Sequence, residues 1–205
     1  MSDIPLPAAD SAALIVVDMQ NGFLRAEGSC ARSGFPVAAL APSLQPCMDA
    51  VAAARAAGVP VIYTRYTYRP DFRDGGFMLR EKFPMLADVG ALVAGSWDQA
   101  VVAELAPRDG DFVIDKNRPS AFFGTPLESC LSGLGVREVV VCGVTTNCCV
   151  ETTVRDAAQR DLRTFVLTDA VAEWEPDRQA NALKAMSLLF AHPLTTAQLR
   201  AAWAP

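Results

Sequence analysis

In the stretch GVTTNCCVE, residues 143–151, two cysteines stand side by side directly behind an apolar run. They could form a redox pair, a metal site, or one nucleophile with a bystander. Adjacent cysteines rarely reach relaxed disulfide geometry, and none of the six cysteines forms a C-x-x-C. With a single histidine, His192, far downstream, a zinc framework is poorly supported. A thiol attacks as its thiolate, which a helix N-terminus or a neighbouring cation favours. Two other residues could serve it. Asp18 follows ALIVV and Lys116 follows FVID, so each sits where a strand should end. Lys116 could supply the cation, and Asp18 could take the thiol proton and return it to a leaving amine. Free backbone N–H groups in the turn before the helix could hold a developing oxyanion. The chemistry expected is acyl transfer through a thioester. Each residue also has a plainer use: aspartate as a cap, lysine as a solvated charge, cysteine as packing. Only convergence of all three on one rim is specific.

Convergence requires one sheet. Residues 13–17 read as a buried strand ending at Asp18, 59–64 as a second, 111–115 as a third delivering Lys116, and 138–142 as a fourth. Shorter strands are expected at 165–167 and near Leu194. Residues 43–57 form an alanine-rich helix closed by Gly58. Thr125, Pro126 and Glu128 open another in a capping-box pattern with proline at its first position. A helix runs from Asn147 or the cysteine turn to about Arg160, then others from 177 to 190 and from Thr196. Strands that are apolar throughout and separated by helices imply a parallel sheet covered on both faces, an α/β three-layer fold. In such sheets ligands bind beyond the carboxyl ends of the strands. The irregular stretch 65–95 is long for a compact domain and is expected to be a lid or a subunit contact.

Composition narrows the classes. The 205 residues read as one domain, 1–205, with its core at about 13–190. Hydrophobic residues make up 51%, charged residues 20%, and the net charge is -5. Disorder and nucleic-acid binding are therefore disfavoured. No apolar run approaches the ~20 residues of a membrane span, and the start, Met1 to Pro5, lacks a signal pattern. A soluble cytoplasmic protein is expected. Cys47, Cys130 and Cys142 sit among apolar neighbours and read as packed small hydrophobes.

The blocks ALIVVDMQNGF, DKNRPSAFFGTPLE and GVTTNCCVETTVRDA, in this order, together resemble the isochorismatase-like cysteine hydrolase superfamily. The resemblance runs from about Ala13 to Phe190. It implies a Rossmann-like α/β/α fold of about six strands, a homodimer or homotetramer, and hydrolysis of small amides, ureides or carbamoyl compounds with release of ammonia. It places an Asp-Lys-Cys triad on Asp18, Lys116 and Cys149, with Cys148 in a variable position that is often valine. It implies a cis bond between Val144 and Thr145, an oxyanion hole from the N–H groups of Thr145 and Cys149, and substrate contacts from Val144, Phe23 and Phe123. Metal-binding nicotinamidase relatives carry aspartate and histidines after the second strand. Tyr63 to Thr67 here contain neither, so no metal and no cofactor are expected. Arg65, Arg69, Arg73 and Arg118 fall near the rim and could grip a substrate carboxylate. The alternatives are vinyl ether hydrolysis of the isochorismatase type and a non-catalytic binding or redox member of the fold.

Overall fold

The computed structural model describes residues 6–204; residues 1–5, read above as lacking a signal pattern, lie outside them. Six parallel strands form one sheet: β1 Ala12–Val17, β2 Val61–Tyr66, β3 Phe112–Lys116, β4 Glu138–Val144, β5 Arg163–Ala172 and β6 His192–Leu194. Their order is β3-β2-β1-β4-β5-β6. β1 and β4 are buried along their whole length, which is why both read as unbroken apolar runs rather than alternating ones. The longer helices are α1 Leu44–Ala56, α2 Leu127–Gly133, α3 Glu151–Ala158, α4 Pro176–Leu189 and α5 Thr196–Ala202. α1 packs on α5 and α3 packs on α4, completing a three-layer α/β/α arrangement around the sheet.

The sequence order reverses direction between β1 and β4. The chain steps from β1 outward to β3 on one side, then returns to build β4, β5 and β6 on the other. The loops leaving β1 and β4 therefore diverge and open a crevice at the carboxyl edge of the sheet. Gly143 lets the two strands close up below that crevice. Its φ is +113°, and a Cβ there would lie 2.1 Å from the Val17 carbonyl oxygen.

Four expectations need correction. The 20-residue stretch Val37–Ala56, a 3-10 turn Val37–Ser43 running on into α1, is long and apolar enough to cross a membrane by length and composition. Here it is a layer of the fold. Leu40, Cys47, Ala50 and Ala54 are fully buried, while Arg55 reaches out to Asp111 at 2.6 Å. At α2, Pro126 occupies the cap rather than the first helical turn and no capping box closes. Instead the Leu127 N–H donates to Thr125 Oγ1 at 3.2 Å. Finally, β5 is far longer than the three residues expected of it, and Cys130 is only half-buried.

Candidate active site

Asp18 stands immediately past β1 with φ +50°, and its N–H donates to the Thr64 carbonyl of β2 at 3.2 Å. That turn aims the carboxyl sideways along the carboxyl edge. Thr64 Oγ1 donates to Asp18 Oδ1 at 2.7 Å, and Lys116 Nζ donates to Oδ2 at 2.6 Å. Lys116 ends β3, two strands away, roughly 10 Å at the usual strand spacing. Its side chain must lie back across β2, and it does so over Tyr66, with Nζ 4.3 Å from the ring centroid. Both charged side chains are 0% exposed. Burial alone would depress the Lys116 ammonium. Asp18 and Cys149 outweigh it and hold the group above its ordinary value, so it stays charged through neutral pH.

The two cysteines arrive from the other side of the crevice. The chain leaves β4 through Thr145, across a cis Val144–Thr145 peptide, and winds Thr146–Val150 as a π-turn before α3 begins. The wider winding of a π-turn sets successive side chains closer together in angle than the 100° of an α-helix. Both Cys148 and Cys149 consequently line the same cavity, although an α-helical start would point them apart, and Cys148 also packs against the core. The Cys149 thiol is held well above its ordinary value by the adjoining Cys148 sulfur and by complete burial; the Lys116 ammonium opposes both. Cys148 is brought down by the adjoining Cys149 sulfur, against its own burial.

Above the sulfurs lies a cavity of about 290 Å³. Thr145, Asn147 and the cysteines form its floor; Phe23, Phe35, Tyr66, Tyr68 and Trp174 are its walls. Met78, Phe83, Leu86 and Leu92, all from the stretch 65–95, complete the roof. This stretch is ordered as the short helical turns Met78–Lys82 and Met85–Asp88. Its return is pinned at Asp98, whose carboxylate accepts from the N–H groups of Ser29 and Leu92, each at 2.8 Å. Gln20 pins the other side, accepting from Tyr66 N at 2.7 Å and donating to the carbonyls of Tyr66 and Gln99. A larger, open hollow of about 420 Å³ lies at the opposite end of the strands near Ser11 and Gly58. No cysteine, lysine, arginine or histidine lines it.

Asp18, Lys116 and Cys149 thus come together, as do Phe23 and Thr145. Others do not. Phe123 is 64% exposed and outside the cavity, and Val144 is fully buried with no face on it. The rim arginines are engaged elsewhere. Arg65 forks Asp115, Arg69 forks Asp71, Arg73 lies beside Asp71, and Arg118 donates to the carbonyls of Asp74 and Asn117. Sequence reasoning missed Thr64, Gln20 and Tyr66, and the walls Phe35, Phe83 and Trp174. Glu173, buried behind the floor, accepts from the Asn147 N–H at 3.0 Å, so that amide cannot serve a substrate oxygen. Among the described residues, no three His, Cys, Asp or Glu side chains cluster as a metal site would require.

Comparison with known proteins agrees with this geometry. The Isochorismatase domain family matches residues 12–198. The chain is 37% identical over 195 residues to ureidoacrylate amidohydrolase RutB of Methylorubrum extorquens, covering 89% of this chain and 78% of that one. Among solved structures it resembles a cysteine hydrolase from Pseudomonas syringae pv. phaseolicola, with TM-score 0.87 and 33% identity, covering 99% of this chain and 98% of that chain. N-carbamoylsarcosine amidase from Thermoplasma acidophilum superposes with TM-score 0.74 at 27% identity, covering 91% and 96%.

Proposed function

The chain belongs to the isochorismatase family and is a cysteine hydrolase of amide or ureide C–N bonds, and from that premise we propose that Cys149 is its nucleophile, served by Asp18 and Lys116. The observation that carries this is the wholly buried Asp18–Lys116 pair, 2.6 Å apart, set in the crevice beside a cysteine whose titration responds to both. Such a pair costs several kcal/mol to desolvate, and a fold keeps one where its charges are used.

The route is as follows. Asp18 takes the proton of the Cys149 thiol while the Lys116 ammonium stabilises the thiolate. Sulfur attacks the carbonyl carbon of the amide or ureide, and the oxyanion is received by the N–H groups of Thr145 and Cys149. Collapse breaks the C–N bond, and Asp18 returns the proton to the departing nitrogen, which leaves as ammonia. Water, deprotonated by Asp18, then attacks the thioester. An amide gives a carboxylic acid; a ureide gives a carbamic acid; the thiol is regenerated. No step calls for a metal or a cofactor. The whole chain acts as one catalytic unit in the cytoplasm, assembled as a homodimer or homotetramer and without nucleic-acid or membrane partners. The homo-oligomeric part of that reading is supported by the exposed apolar side chains of Leu188 and Leu189 at the end of α4.

The test is ammonia release from a panel of small primary amides and ureides, before and after dialysis against a strong chelator. An isochorismate control is run alongside. Turnover that survives dialysis, with an acyl adduct mapped to Cys149 by mass spectrometry, is the expected result. Turnover of isochorismate alone, or an adduct on Cys148, would overturn the mechanism.

A further inference from the structure

The cavity above Cys149 has a chemical character that the hydrolytic step does not require. Its floor is polar, and apart from Cys30 and Arg178 its remaining surface is aromatic or aliphatic. Phe35 and Trp174 stack on each other with ring centroids 4.4 Å apart and 24° between planes, giving a flat wall. Phe83 closes the same wall from the roof, its centroid 5.8 Å from that of Phe35. Phe23, Met78 and Leu92 complete the apolar enclosure. Among the described residues Arg178 is the one charged residue that lines the cavity; it is half-exposed, and its Nε is paired with Glu175 at 3.1 Å. Lys116 is committed to Asp18, and none of Arg65, Arg69, Arg73 or Arg118 lines the cavity.

Resting on the proposed function, we propose that the group attached to the scissile amide or ureide is uncharged and apolar, a flat ring or a short branched chain. The enzyme would then discriminate against ureido acids. A carboxylate carried into this cavity would lose its hydration and meet only a cation already paired with Glu175, the costly case for a buried charge. An aromatic or branched apolar group would shed water from both itself and the walls, and a ring would lie against the Phe35–Trp174 slab. At about 290 Å³ the space admits a single ring with its amide, not a peptide. The name of the curated relative specifies a substrate with a carboxylate, so this chain would share that protein's chemistry and differ in what it accepts.

The experiment compares benzamide and phenylurea with 3-ureidopropionate and ureidoacrylate. Ammonia release gives kcat/KM, and calorimetric binding to Cys149→Ala protein gives affinity without turnover. The expected result is a preference of about 100-fold or more for the neutral aromatic compounds in both measurements, in the range that an unpaired polar group at a binding site imposes. Phe83→Arg should narrow that preference by weakening the aromatic compounds and strengthening the acids, whereas mere damage would weaken both. Hydrolysis and binding confined to the ureido acids would overturn this proposal while leaving the C–N hydrolytic reading intact. Tight binding of benzamide or phenylurea with no ammonia released from any compound would overturn the hydrolytic reading and uphold the apolar pocket. Binding of neither class would overturn the pocket assignment itself.

Discussion

At the scale of single residues, the two sulfurs and the buried ion pair make distinguishable demands. Cys149→Ala should lower turnover by about 10⁴-fold or more, the usual order for removal of a nucleophile. Cys148→Val removes a neighbouring sulfur and leaves Asp18, Lys116 and Cys149 in place, so turnover should stay within about tenfold of wild type. Its signature is instead a Cys149 alkylation profile displaced to lower pH, because the neighbouring sulfur that holds this thiol up is gone. A profile that does not move would mean that Cys148 does not act on the Cys149 thiol. For the ion pair, Asp18→Asn leaves the Lys116 ammonium buried without its counter-charge and should destabilise the fold by about 3–5 kcal/mol as well as abolish turnover. Adding Lys116→Met should restore much of the stability and none of the activity. Denaturant melts of the single and double variants check this, and a fully stable Asp18→Asn protein would contradict the burial argument.

At the scale of elements, the strands that bear the chemistry were legible and the walls of the cavity were not. β1, β2, β3 and β4 were read to within one or two residues, β1 and β4 because strands buried on both faces leave unbroken apolar runs. β5 was read as three residues and spans Arg163–Ala172. Thr168 and Asp169 interrupt its apolar run, and Asp169 accepts from Thr196 N and Oγ1 at the start of α5. A polar residue kept for a neighbouring helix looks like a strand end. Asp18, Lys116 and Cys149 were singled out because each ends a strand or follows one. Phe35, Phe83 and Trp174 lie on connections without periodicity, where no pattern tells a pocket wall from an exposed ring. Phe123 illustrates the converse, an aromatic in the right block that faces outward. The close approach of β4 to β1 predicts that Gly143→Ala will be severely disruptive. The added methyl would press on the Val17 carbonyl at a φ that alanine avoids, costing about 3 kcal/mol, and turnover should fall because Asp18 and the cysteine turn lie directly beyond. Thermal melting and activity at low temperature separate the two effects.

At the scale of the whole molecule, the fold class was the most legible feature of all, since alternating buried strands and helices leave little freedom in how layers stack. The proposed homo-oligomer has a candidate contact on the surface instead. Leu188 and Leu189 are 86% and 77% exposed, at the far end of α4 from the cavity mouth. Two adjacent leucines bared to water suit a contact with a second copy. The double substitution Leu188→Glu, Leu189→Glu should convert an oligomer to a monomer in sedimentation at micromolar concentration. An oligomer unchanged by it would place the subunit contact elsewhere.

The roof has a consequence for how such a protein diversifies. In the proposed mechanism reactivity is held by Asp18, Lys116 and Cys149, at or just beyond three strand ends, while Met78, Phe83, Leu86 and Leu92 all belong to one uninterrupted excursion of the chain. That excursion leaves the sheet after Tyr66 and is anchored on its return at Asp98 and Gln99. Selection can therefore rework the roof without altering Asp18, Lys116 or Cys149, although Asp74 of the excursion is tied to Asn117 and Arg118 just past β3. Exchanging this one cassette between homologues should shift the roof's share of ligand preference, with the Phe35–Trp174 wall left in place, and leave the bond that is broken unchanged.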